Sequence, residues 1–553
     1  MTNRPWLQHY APSVPANIDS DEFPTLLDFL NSCTQKYKSE IAFECMGTKL
    51  SYDKLDKLST AFGSYLHMRG LEPGDKIALM MPNILQYPIA LYGALKAGLI
   101  VVNTNPVYTK REMLYQFKDA GVKAILILEN FAHNLEDILP DTEIKVIITT
   151  SIGELLGFTK GLITDFVIRY IKRLVPKYDI ENAVTFREAI ELGRRFSIKS
   201  FENCPENVII LQYTGGTTGV SKGAMLTNRN IVANMMQIKA VLGAVLEERK
   251  EVALCPLPLY HIFAFTCNCL GMMWFGGKNV LVVNPRDIKG LLKEFSKNKI
   301  TLISGVNTLF NAMINHKSFA QSDFSHLKAV VSGGMALNRD VAERWEALTG
   351  IRITEGYGLT ETSPVACVDL FGKNAKIGTI GFPVPSTDVK IVDEGGFEVS
   401  VGKPGEIAIK GPQVMLGYYN NPEETSKVLV DGWLYTGDIG TMDEDGYFRI
   451  LDRKKDMIIV SGFNVYPNEI EAVIMMHPKV LEVAVIGVPD TKSGEVVKAF
   501  IVKKDNSLKE TEIIEHCKEY ITGYKVPKQI EFRETLPKST VGKILRRELK
   551  ADL

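Results

Sequence analysis

Short apolar runs alternate with amphipathic segments from Asp53 onward. The stretch YDKLDKLSTAFGSYLHMRGL has apolar residues at helical spacing, and the following KIALMMP is typical of a short buried strand. LQYPIALYGALKAG then predicts a second helix and LIVVNTNP a second strand. This alternation indicates parallel sheets that are covered by helices.

The same pattern continues farther along the chain. Further short β-branched runs, each followed by turn residues, predict the strands KAILILEN, KVIITT, NVIILQYT, NVLVVNP, TLISGV and LKAVVSGG. The fold is therefore predicted to be α/β.

The pattern changes twice toward the C-terminus. After about Ile377, the short runs DVKIVDEGG, GEIAIKGP and GYFRILDRKKD predict a small β-barrel-like subdomain. Beyond Lys455, two helical and two strand patterns predict a small α+β domain. We therefore expect a large N-terminal domain, residues 1–452, with two α/β subdomains and the β subdomain. Residues 453–553 are expected to form a mobile C-terminal domain, joined through the charged run DRKKD.

Composition excludes several classes of protein. The 553 residues are 45% hydrophobic and 23% charged, with a formal net charge of −1, so there is no electrostatic case for nucleic acid. The eight cysteines lack the spacing of a zinc site or a disulfide framework, which indicates a reducing compartment. Cys267 and Cys269 could pair with His261 on a metal, but buried thiols explain them better.

The N-terminus has no basic region followed by an apolar core, so we expect a cytoplasmic protein. The stretch from Ala253 to Lys278 is uncharged between its ends and long enough to raise the alternative of a membrane span. Pro256, Pro258 and His261 favour instead a strand followed by a helix in a buried core.

The stretch YTGGTTGVSKGAMLTNRN, Tyr213 to Asn230, is rich in glycine and threonine directly after an apolar run. Such a loop lets backbone N–H groups approach a polyphosphate. The residues that would add hydroxyls and a charge are Thr214, Thr217, Thr218, Ser221 and Lys222. The Walker pattern fails, because Val220 and Ser221 separate the lysine from the preceding glycine.

Six further motifs follow this loop in order. They are PLPLYHIFAF at 256–265, SGGMAL at 332–337, EGYGLTETSP at 355–364, DGWLYTGDIG at 431–440, ILDRKKDMIIVSGFNVYPNEIE at 450–471 and LPKSTVGKILRREL at 536–549. In content, order and spacing the seven motifs resemble the signatures of the adenylate-forming superfamily, most closely the bacterial long-chain fatty-acid–CoA ligases. The resemblance covers the chain from about Tyr52 to Leu549.

The resemblance implies a two-step reaction of lipid metabolism. A fatty-acid carboxylate attacks the α-phosphate of ATP to give an acyl adenylate and pyrophosphate, and coenzyme A then displaces AMP. ATP and coenzyme A are thus the implied co-substrates and Mg²⁺ the implied cofactor. Pre-placed donors and cations are needed, because an anion attacks a polyanion.

The resemblance also implies the nucleotide ligands. The phosphate loop would comprise Tyr213, Thr214, Gly215, Gly216, Thr217, Thr218, Gly219, Val220, Ser221, Lys222, Gly223 and Ala224. Ser221 stands where many relatives have proline. Mg²⁺ would bind Glu361 and either Thr217 or Thr218. A first-turn helical carboxylate is the alternative for Glu361.

For the nucleoside, the resemblance implies the backbone of Gly333, Gly334 and Met335 along the adenine edge. The Tyr357 ring would lie against the adenine face, with Gly358 and Thr360 nearby. Asp438 would accept the ribose hydroxyls and Arg453 would be its basic partner. A turn residue and a solvated linker charge are the alternatives for these two.

Other matched positions concern the acid and the second step. Lys543 would contact the acyl carboxylate and α-phosphate, His261 would lie near the carboxylate, and Phe265 would gate the acyl tunnel. A core histidine remains the alternative for His261. Domain rotation about Lys455 would bring in the coenzyme A channel, with Gly462 and Phe463.

The run FAFTCNCLGMMWFGG suits an alkyl chain. Medium-chain or aryl acids, transfer to a carrier protein and a non-catalytic binding protein remain alternatives. Residues 155–177 read as a basic amphipathic helix that either contacts the inner membrane surface or packs on the core. A homodimer also remains open.

Overall fold

Four β-sheets organise the chain in a computed structural model that describes residues 4–19, 21–214, 221–372, 375–490, 492–539 and 542–551. Two sheets are large and mainly parallel, and two smaller sheets lie toward the C-terminus. Each of the strands predicted above is present, so the α/β prediction is confirmed.

The first large sheet has nine strands in the order β16-β15-β14-β13-β12-β10-β11-β1-β2. The bounds are β1 (Ile41–Cys45), β2 (Thr48–Ser51), β10 (Val252–Cys255), β11 (Lys278–Leu281), β12 (Leu302–Gly305), β13 (Ala329–Ser332), β14 (Ile353–Gly358), β15 (Val365–Val368) and β16 (Phe382–Pro383). The strands from β14 to β1 are parallel neighbours, and helices cover both faces, which explains their nearly continuous apolar composition.

The second large sheet has eight strands in the order β19-β9-β8-β4-β3-β5-β6-β7. The bounds are β3 (Lys76–Met80), β4 (Ile100–Asn103), β5 (Val122–Leu128), β6 (Val146–Thr150), β7 (Val184–Thr185), β8 (Val208–Thr214), β9 (Lys222–Thr227) and β19 (Gly417–Tyr418). The pair β8 and β9 is antiparallel, so the glycine-rich stretch predicted to bind phosphate connects the two strands of a hairpin.

The third sheet is the predicted β subdomain and is entirely antiparallel. Its strands are β17 (Asp388–Val392), β18 (Gly405–Lys410), β20 (Leu429–Val430), β21 (Trp433–Met442) and β22 (Phe448–Arg453). The fourth sheet contains β23 (Ile458–Val460), β24 (Phe463–Val465), β25 (Val480–Asp490), β26 (Gly494–Lys503) and β27 (Gln529–Arg533). Residues 454–457 connect the two sheets.

The helices in the described part of the chain are α1 (Leu26–Lys36), α2 (Tyr52–Met68), α3 (Gln86–Lys96), α4 (Lys110–Ala120), α5 (Ala132–Ile138), α6 (Phe158–Phe166), α7 (Phe186–Gly193), α8 (Asn228–Leu242), α9 (Ile262–Ala264), α10 (Ile288–Lys297), α11 (Asn307–Ile314), α12 (Arg339–Thr349), α13 (Pro422–Val428), α14 (Pro467–Met475), α15 (Glu510–Tyr520) and α16 (Arg546–Ala551). Threonine capping boxes begin four of them, at Thr25, Thr109, Thr185 and Thr227. These side chains satisfy N–H groups that the first turn leaves unpaired.

The uncharged stretch after Ala253 runs from β10 through α9, a π-helical segment (Phe265–Leu270) and a 3-10 turn (Gly271–Phe275) into β11. Its apolar side chains belong to the core between the sheet and α8. No helix in the described residues is long and apolar enough to cross the membrane. The prediction of a strand followed by a helix in a buried core is confirmed.

The fourth sheet has a core of its own, formed mainly with α14 and α15 around Val465, Ile470, Val485, Ile501 and Ile513. A separate core is what a small domain needs in order to fold as a unit. The boundary after residue 452 stays a prediction.

Candidate active site

A cavity of about 640 Å³ lies at the carboxyl ends of strands in the nine-stranded sheet, where open α/β sheets bind ligands. The third sheet and the loop that carries Lys543 complete its wall. Predicted site residues on this wall are Thr214, Lys222, His261, Gly333, Gly334, Met335, Tyr357, Gly358, Thr360, Glu361, Arg453, Lys455 and Lys543.

Asp438 connects the third sheet to the nine-stranded sheet. Its Oδ2 accepts a 2.6 Å hydrogen bond from the Tyr357 hydroxyl, and its Oδ1 lies 2.7 Å from Arg453 Nε. Asp438 and Arg453 pair across β21 and β22, so the strand register creates this ion pair. Asp438 is only 3% exposed and lies directly behind the wall that Tyr357 and Arg453 line.

The backbone predicted to bind adenine, Gly333 to Met335, follows β13 and lines one side of the cavity. We refer to these three residues as the adenine strip. Gly334 has a φ of +79°, and a Cβ on Gly333 would lie 3.1 Å from the Phe263 ring and 3.2 Å from the Gly356 carbonyl. Glycine is therefore favoured at both positions where the backbone forms this wall.

Glu355, which the sequence analysis missed, fixes this strip from behind. Its Oε2 accepts a 3.3 Å hydrogen bond from Leu337 N and its Oε1 a 3.1 Å hydrogen bond from Gly378 N. Burial raises the pKa of Glu355 to about 7, and nearby Asp369 acts in the same direction. Glu355 begins the EGYGLTETSP motif, but only the strand pairing reveals what it contacts.

Lys543 reaches the cavity from a tight turn near the C-terminus. Its N–H donates to Ser539 Oγ at 3.1 Å, and Ser539 N donates to the Lys543 carbonyl at 2.7 Å. Burial and then the nearby Arg453 charge, opposed by Asp438, lower the pKa of the Lys543 ammonium to about 8. The turn thus presents a cation with a pKa close to neutral pH.

His261 is the N-cap of α9, where its Nδ1 accepts a 3.3 Å hydrogen bond from Phe263 N. Burial lowers the pKa of His261 to about 4, and Lys543 acts in the same direction. The imidazole is therefore neutral near pH 7. Phe265, the predicted gate, is fully buried and lies outside the lining residues, whereas Phe263 lines the cavity. The gate role stays a prediction.

The predicted phosphate loop is described at its base only. Its tip lies outside the described residues, so the roles of Gly215, Gly216, Thr217, Thr218, Gly219 and Val220 stay predictions. At the base, Thr214 pairs with Lys222 and both line the cavity. Ser221 Oγ donates to the Thr214 carbonyl at 2.6 Å. Tyr213, Gly223 and Ala224 do not line the cavity, because they lie in the hairpin behind it.

Lys222 forms an ion pair with Glu424 of α13, and its Nζ lies 5.2 Å from the centroid of the Tyr418 ring. Glu424 also lies 2.7 Å from Lys427 Nζ. Hydrogen bonds from Lys222 and then Lys427 lower the pKa of Glu424 to about 2. Glu424 and Lys427 both line the cavity. Neither residue was predicted from the sequence, since PEETSK is typical of an ordinary charged helix.

Glu361 lies in the turn Thr360–Thr362 that follows β14, and its side chain lines the cavity. Its Oε1 accepts a 2.7 Å hydrogen bond from the Tyr418 hydroxyl. In the part of the chain that is described, no three His, Cys, Asp or Glu side chains cluster as a metal site. Mg²⁺ commonly takes one or two carboxylates together with substrate phosphates and water, so the Glu361 carboxylate fits that mode.

The residues predicted for the second step are divided between cavity and surface. Lys455, in the connection between the third and fourth sheets, lines the cavity, and burial lowers its pKa. Gly462 has a φ of +82° in the turn between β23 and β24. Phe463 is 56% exposed and stacks on Tyr524 with 4.8 Å between ring centroids. Gly462 and Phe463 do not line the cavity.

The opposite half of the cavity is apolar and lies between α8 and the nine-stranded sheet. Its walls include Ile238, Val241, Leu242, Leu302, Val331, Val365 and Phe371. None of these seven wall residues is acidic, and the carboxylates among the described lining residues are Glu361, Glu406 and Glu424. This half therefore suits an uncharged, apolar group better than an ammonium group.

The segment predicted as a helix over 155–177 forms α6 and then a π-helical segment, Val167–Ile171. Its large apolar side chains are more than half exposed, at Phe158, Leu162, Ile163, Phe166, Tyr170, Ile171 and Leu174. The alternative that this face packs on the core is therefore wrong. Arg169 is anchored inward by an ion pair with Glu129, which is 3% exposed.

Comparison with known proteins defines the class. Residues 30–419 match the AMP-binding enzyme family, and residues 469–543 match the AMP-binding enzyme C-terminal domain. The chain therefore belongs to the AMP-binding, adenylate-forming enzyme family, and the resemblance seen in the seven motifs is confirmed.

Three proteins of known function are similar to this chain over nearly their whole length. A long-chain-fatty-acid–CoA ligase of Escherichia coli O157:H7 is 53% identical over 99% of this chain and 97% of its own length. One of Haemophilus influenzae is 49% identical over 99% and 98%. The crystal structure of an anthranilate CoA ligase in complex with anthranoyl-AMP is 25% identical, with a TM-score of 0.86 over 97% of this chain and 99% of that chain.

Proposed function

We propose that this protein is an ATP-dependent long-chain fatty-acid–CoA ligase that forms an acyl adenylate and pyrophosphate, and then acyl-CoA and AMP. The observation that carries the proposal is the Lys543 ammonium in a cavity that is polar on one side and apolar on the other. The two relatives that are 53% and 49% identical over nearly their whole length support the same reaction.

In the first step, two anions must approach each other. Lys543 bridges the acyl carboxylate and the α-phosphate, because its flexible ammonium can donate to both. Neutral His261 donates a hydrogen bond to the carboxylate without adding a second charge. Mg²⁺, bound by Glu361 and Thr217 or Thr218, would neutralise phosphate charge. Lys222 and the backbone of the phosphate loop bind the outer phosphates.

The nucleoside lies between the adenine strip and Tyr357. The Asp438 carboxylate accepts the ribose hydroxyls, since each of its oxygens can accept more than the one contact seen here. Arg453 orients this carboxylate. The Tyr357 ring stacks on adenine while its hydroxyl remains bonded to Asp438.

In the second step, the C-terminal domain, residues 453–553, rotates about Lys455. A hinge at this position is supported by the short connection, residues 454–457, between two sheets that have separate cores. Rotation would withdraw Lys543 and bring Gly462 and Phe463 from the surface to the cavity, where the absent side chain of Gly462 leaves room for the coenzyme A arm.

Long-chain acids are favoured by the apolar walls beside α8 and by the names of the relatives. Medium-chain acids, aryl acids and transfer to a carrier-protein thiol are the alternatives. A substrate panel separates them.

The exposed apolar face of α6 and the π-helical segment supports peripheral contact with a membrane, where free fatty acid partitions. Basic residues near the face, Lys160, Lys172, Arg173 and Lys177, suit the anionic inner surface, so we propose a cytoplasmic enzyme that binds that surface. Homodimer formation stays a prediction.

The function is tested by pyrophosphate release with ATP, Mg²⁺ and octanoate, hexadecanoate or coumarate, followed by thioester formation with coenzyme A or pantetheine. We expect the highest activity with hexadecanoate and coenzyme A. In Lys543→Ala, adenylate formation should collapse while thioester formation from supplied acyl adenylate survives. Lys538→Ala, an exposed lysine of the same segment that pairs with Glu482, is the control. Equal loss of both half-reactions in Lys543→Ala would contradict the role of Lys543.

A further inference from the structure

Arg546, three residues after Lys543, connects the Lys543 segment to both sides of the linker. Its Nη1 lies 3.0 Å from Asp452 Oδ1, and its Nη2 lies 2.8 Å from Glu471 Oε1. Nη2 also donates to Asn468 Oδ1 at 2.6 Å. The guanidinium is 15% exposed and Asp452 only 1%. The fork of donors on one planar group fixes its orientation in three directions.

Asp452 belongs to the large N-terminal part of the protein. It lies on β22, paired with Ile439 of β21, and so moves with the third sheet. Its Oδ2 accepts a 2.8 Å hydrogen bond from Asn468 N, and its Oδ1 accepts one from Arg453 N at the same distance of 2.8 Å. The bonds from Arg546 and Asn468 to Asp452 therefore cross the connection at residues 454–457.

If the C-terminal domain rotates about Lys455, some partners of Arg546 move with it and one does not. Glu471 and Asn468 lie on α14, beyond the hinge, so they move together with Arg546. Asp452 precedes the hinge and stays with β22. The ion pair between Arg546 and Asp452 therefore joins the two sides of the hinge in the conformation that places Lys543 in the cavity.

We propose that Arg546 is a positioning residue, which pairs with Asp452 to hold Lys543 at the reacting phosphate during adenylate formation and releases Asp452 for the thioester step. The proposal rests on the proposed function. Among the described residues, Gly542 beside Lys543 also accepts a weak 3.4 Å hydrogen bond at its carbonyl from Thr308 Oγ1 of the N-terminal part. The contacts of the Arg546 guanidinium hold the segment that carries Lys543. The Lys543 side chain therefore extends from a backbone that moves less.

The charge of Arg546 also acts on the Lys543 ammonium. The groups that act on the Lys543 ammonium are Arg453, Asp438, Asp456 and Arg546, and Lys543 in turn acts on His261. Arg546 is one of the cations that lower the pKa of Lys543. Loss of the Arg546 charge therefore raises that pKa, an effect that a purely structural role would not predict.

The test measures both half-reactions in Arg546→Met with hexadecanoate, ATP and Mg²⁺, and with synthetic hexadecanoyl adenylate and coenzyme A. Adenylate formation is expected to fall about 100-fold, the scale of a misplaced catalytic group. Thioester formation should stay within about twofold of wild type. Arg533→Met is the matched control, because Arg533 pairs with Glu531 in the same domain and is not among the residues that line the cavity.

Two further variants distinguish a selective loss of adenylation from a folding defect. Arg546→Lys, which keeps the charge, should restore part of the adenylation rate, and Asp452→Asn, which removes the linker-crossing ion pair but leaves Glu471, should reproduce the selective loss. The alkaline limb of kcat/KM for ATP should move to higher pH in Arg546→Met. Equal loss of both half-reactions, or no loss in either, would overturn the proposal.

The two proposals fail in different ways. If the wild-type protein released no pyrophosphate with any acid, the proposed function would fail before any variant was compared. If wild type were active and Asp452→Asn kept its full adenylation rate, only the role of the ion pair between Arg546 and Asp452 would be rejected.

Discussion

Arg453 and Asp438 face each other across β21 and β22, with 2.7 Å between Arg453 Nε and Asp438 Oδ1, and Arg453 is the last residue before the connection to the fourth sheet. The nucleotide side of the cavity and the proposed hinge thus share one strand. A displacement of the connection would act on this ion pair, because Arg453 directly precedes the connection.

Removal of the Asp438 charge should weaken the use of ATP. In Asp438→Asn, the partly exposed Arg453 guanidinium loses its charged partner, and we expect kcat/KM for ATP to fall about 10- to 100-fold, which corresponds to one or two charged hydrogen bonds. Steady-state kinetics with varied ATP measure this. Asp388→Asn is the control, since Asp388 pairs with Arg4 at 2.6 Å in the same sheet, away from the cavity. A comparable loss in that control would refute the assignment.

The rate of adenylate formation should decline as the pH rises through about 8. The pKa of Lys543 is lowered to about 8, and only the protonated ammonium can neutralise the two reacting anions. His261, with a pKa of about 4, is neutral throughout this range and adds no second limb. The pH profile of kcat/KM for ATP measures the effect. Lys543→Arg, which stays charged, should keep whatever activity remains at alkaline pH; an unchanged limb in that variant would assign it to another group.

A methyl group on the adenine strip should impair nucleotide binding. In Gly333→Ala the new Cβ would lie 3.1 Å from the Phe263 ring and 3.2 Å from the Gly356 carbonyl, so the wall must shift. We expect about tenfold weaker ATP binding and a loss of about 1–3 kcal/mol of stability, the usual cost of overpacking. Calorimetric titration and thermal unfolding measure these. Gly523→Ala, where a Cβ would meet nothing within 4 Å, should change neither.

Charges on the exposed face of α6 should abolish binding to membranes. The side chains of Leu162 and Phe166 are 59% and 56% exposed. Burial of each is worth about 1.5–3 kcal/mol, so Leu162→Glu combined with Phe166→Glu should lower partitioning at least about 100-fold. Cosedimentation with phosphatidylglycerol–phosphatidylethanolamine vesicles measures this. Phe397→Glu, at a residue that is 73% exposed elsewhere, is the control. Wild-type binding by the double variant would exclude this face as the contact surface.

Periodicity predicted the regular elements well where local chemistry determines them. The runs KAILILEN and KVIITT became β5 and β6, and helices began at capping threonines. The helix over 155–177 was predicted as one amphipathic unit, but hydrogen bonding changes to a π-helical pattern after Phe166. Within this π-helical segment, Arg169 pairs with the buried Glu129, a contact that periodicity does not reveal.

The candidate site was predicted unevenly. The composition of the glycine-rich stretch predicted a phosphate-binding loop, a role that stays a prediction, whereas Lys543 was one of many lysines and was singled out only through the family resemblance. Glu355, Glu424 and Arg546 were missed, because their partners lie far away in sequence. Phe265 was predicted as a gate and is not among the residues that line the cavity, whereas Phe263 is, and the gate role stays a prediction.

The sequence by itself determined the α/β class, the order of the elements and the family, because hydrophobic period, caps and motif residues act over short stretches of chain. Only the tertiary structure decided which side chains meet: Tyr357 on Asp438, Lys222 on Glu424, and Arg546 on Asp452. Those contacts depend on strand register and on how sheets pack, and a one-residue change of register turns a side chain to the opposite face.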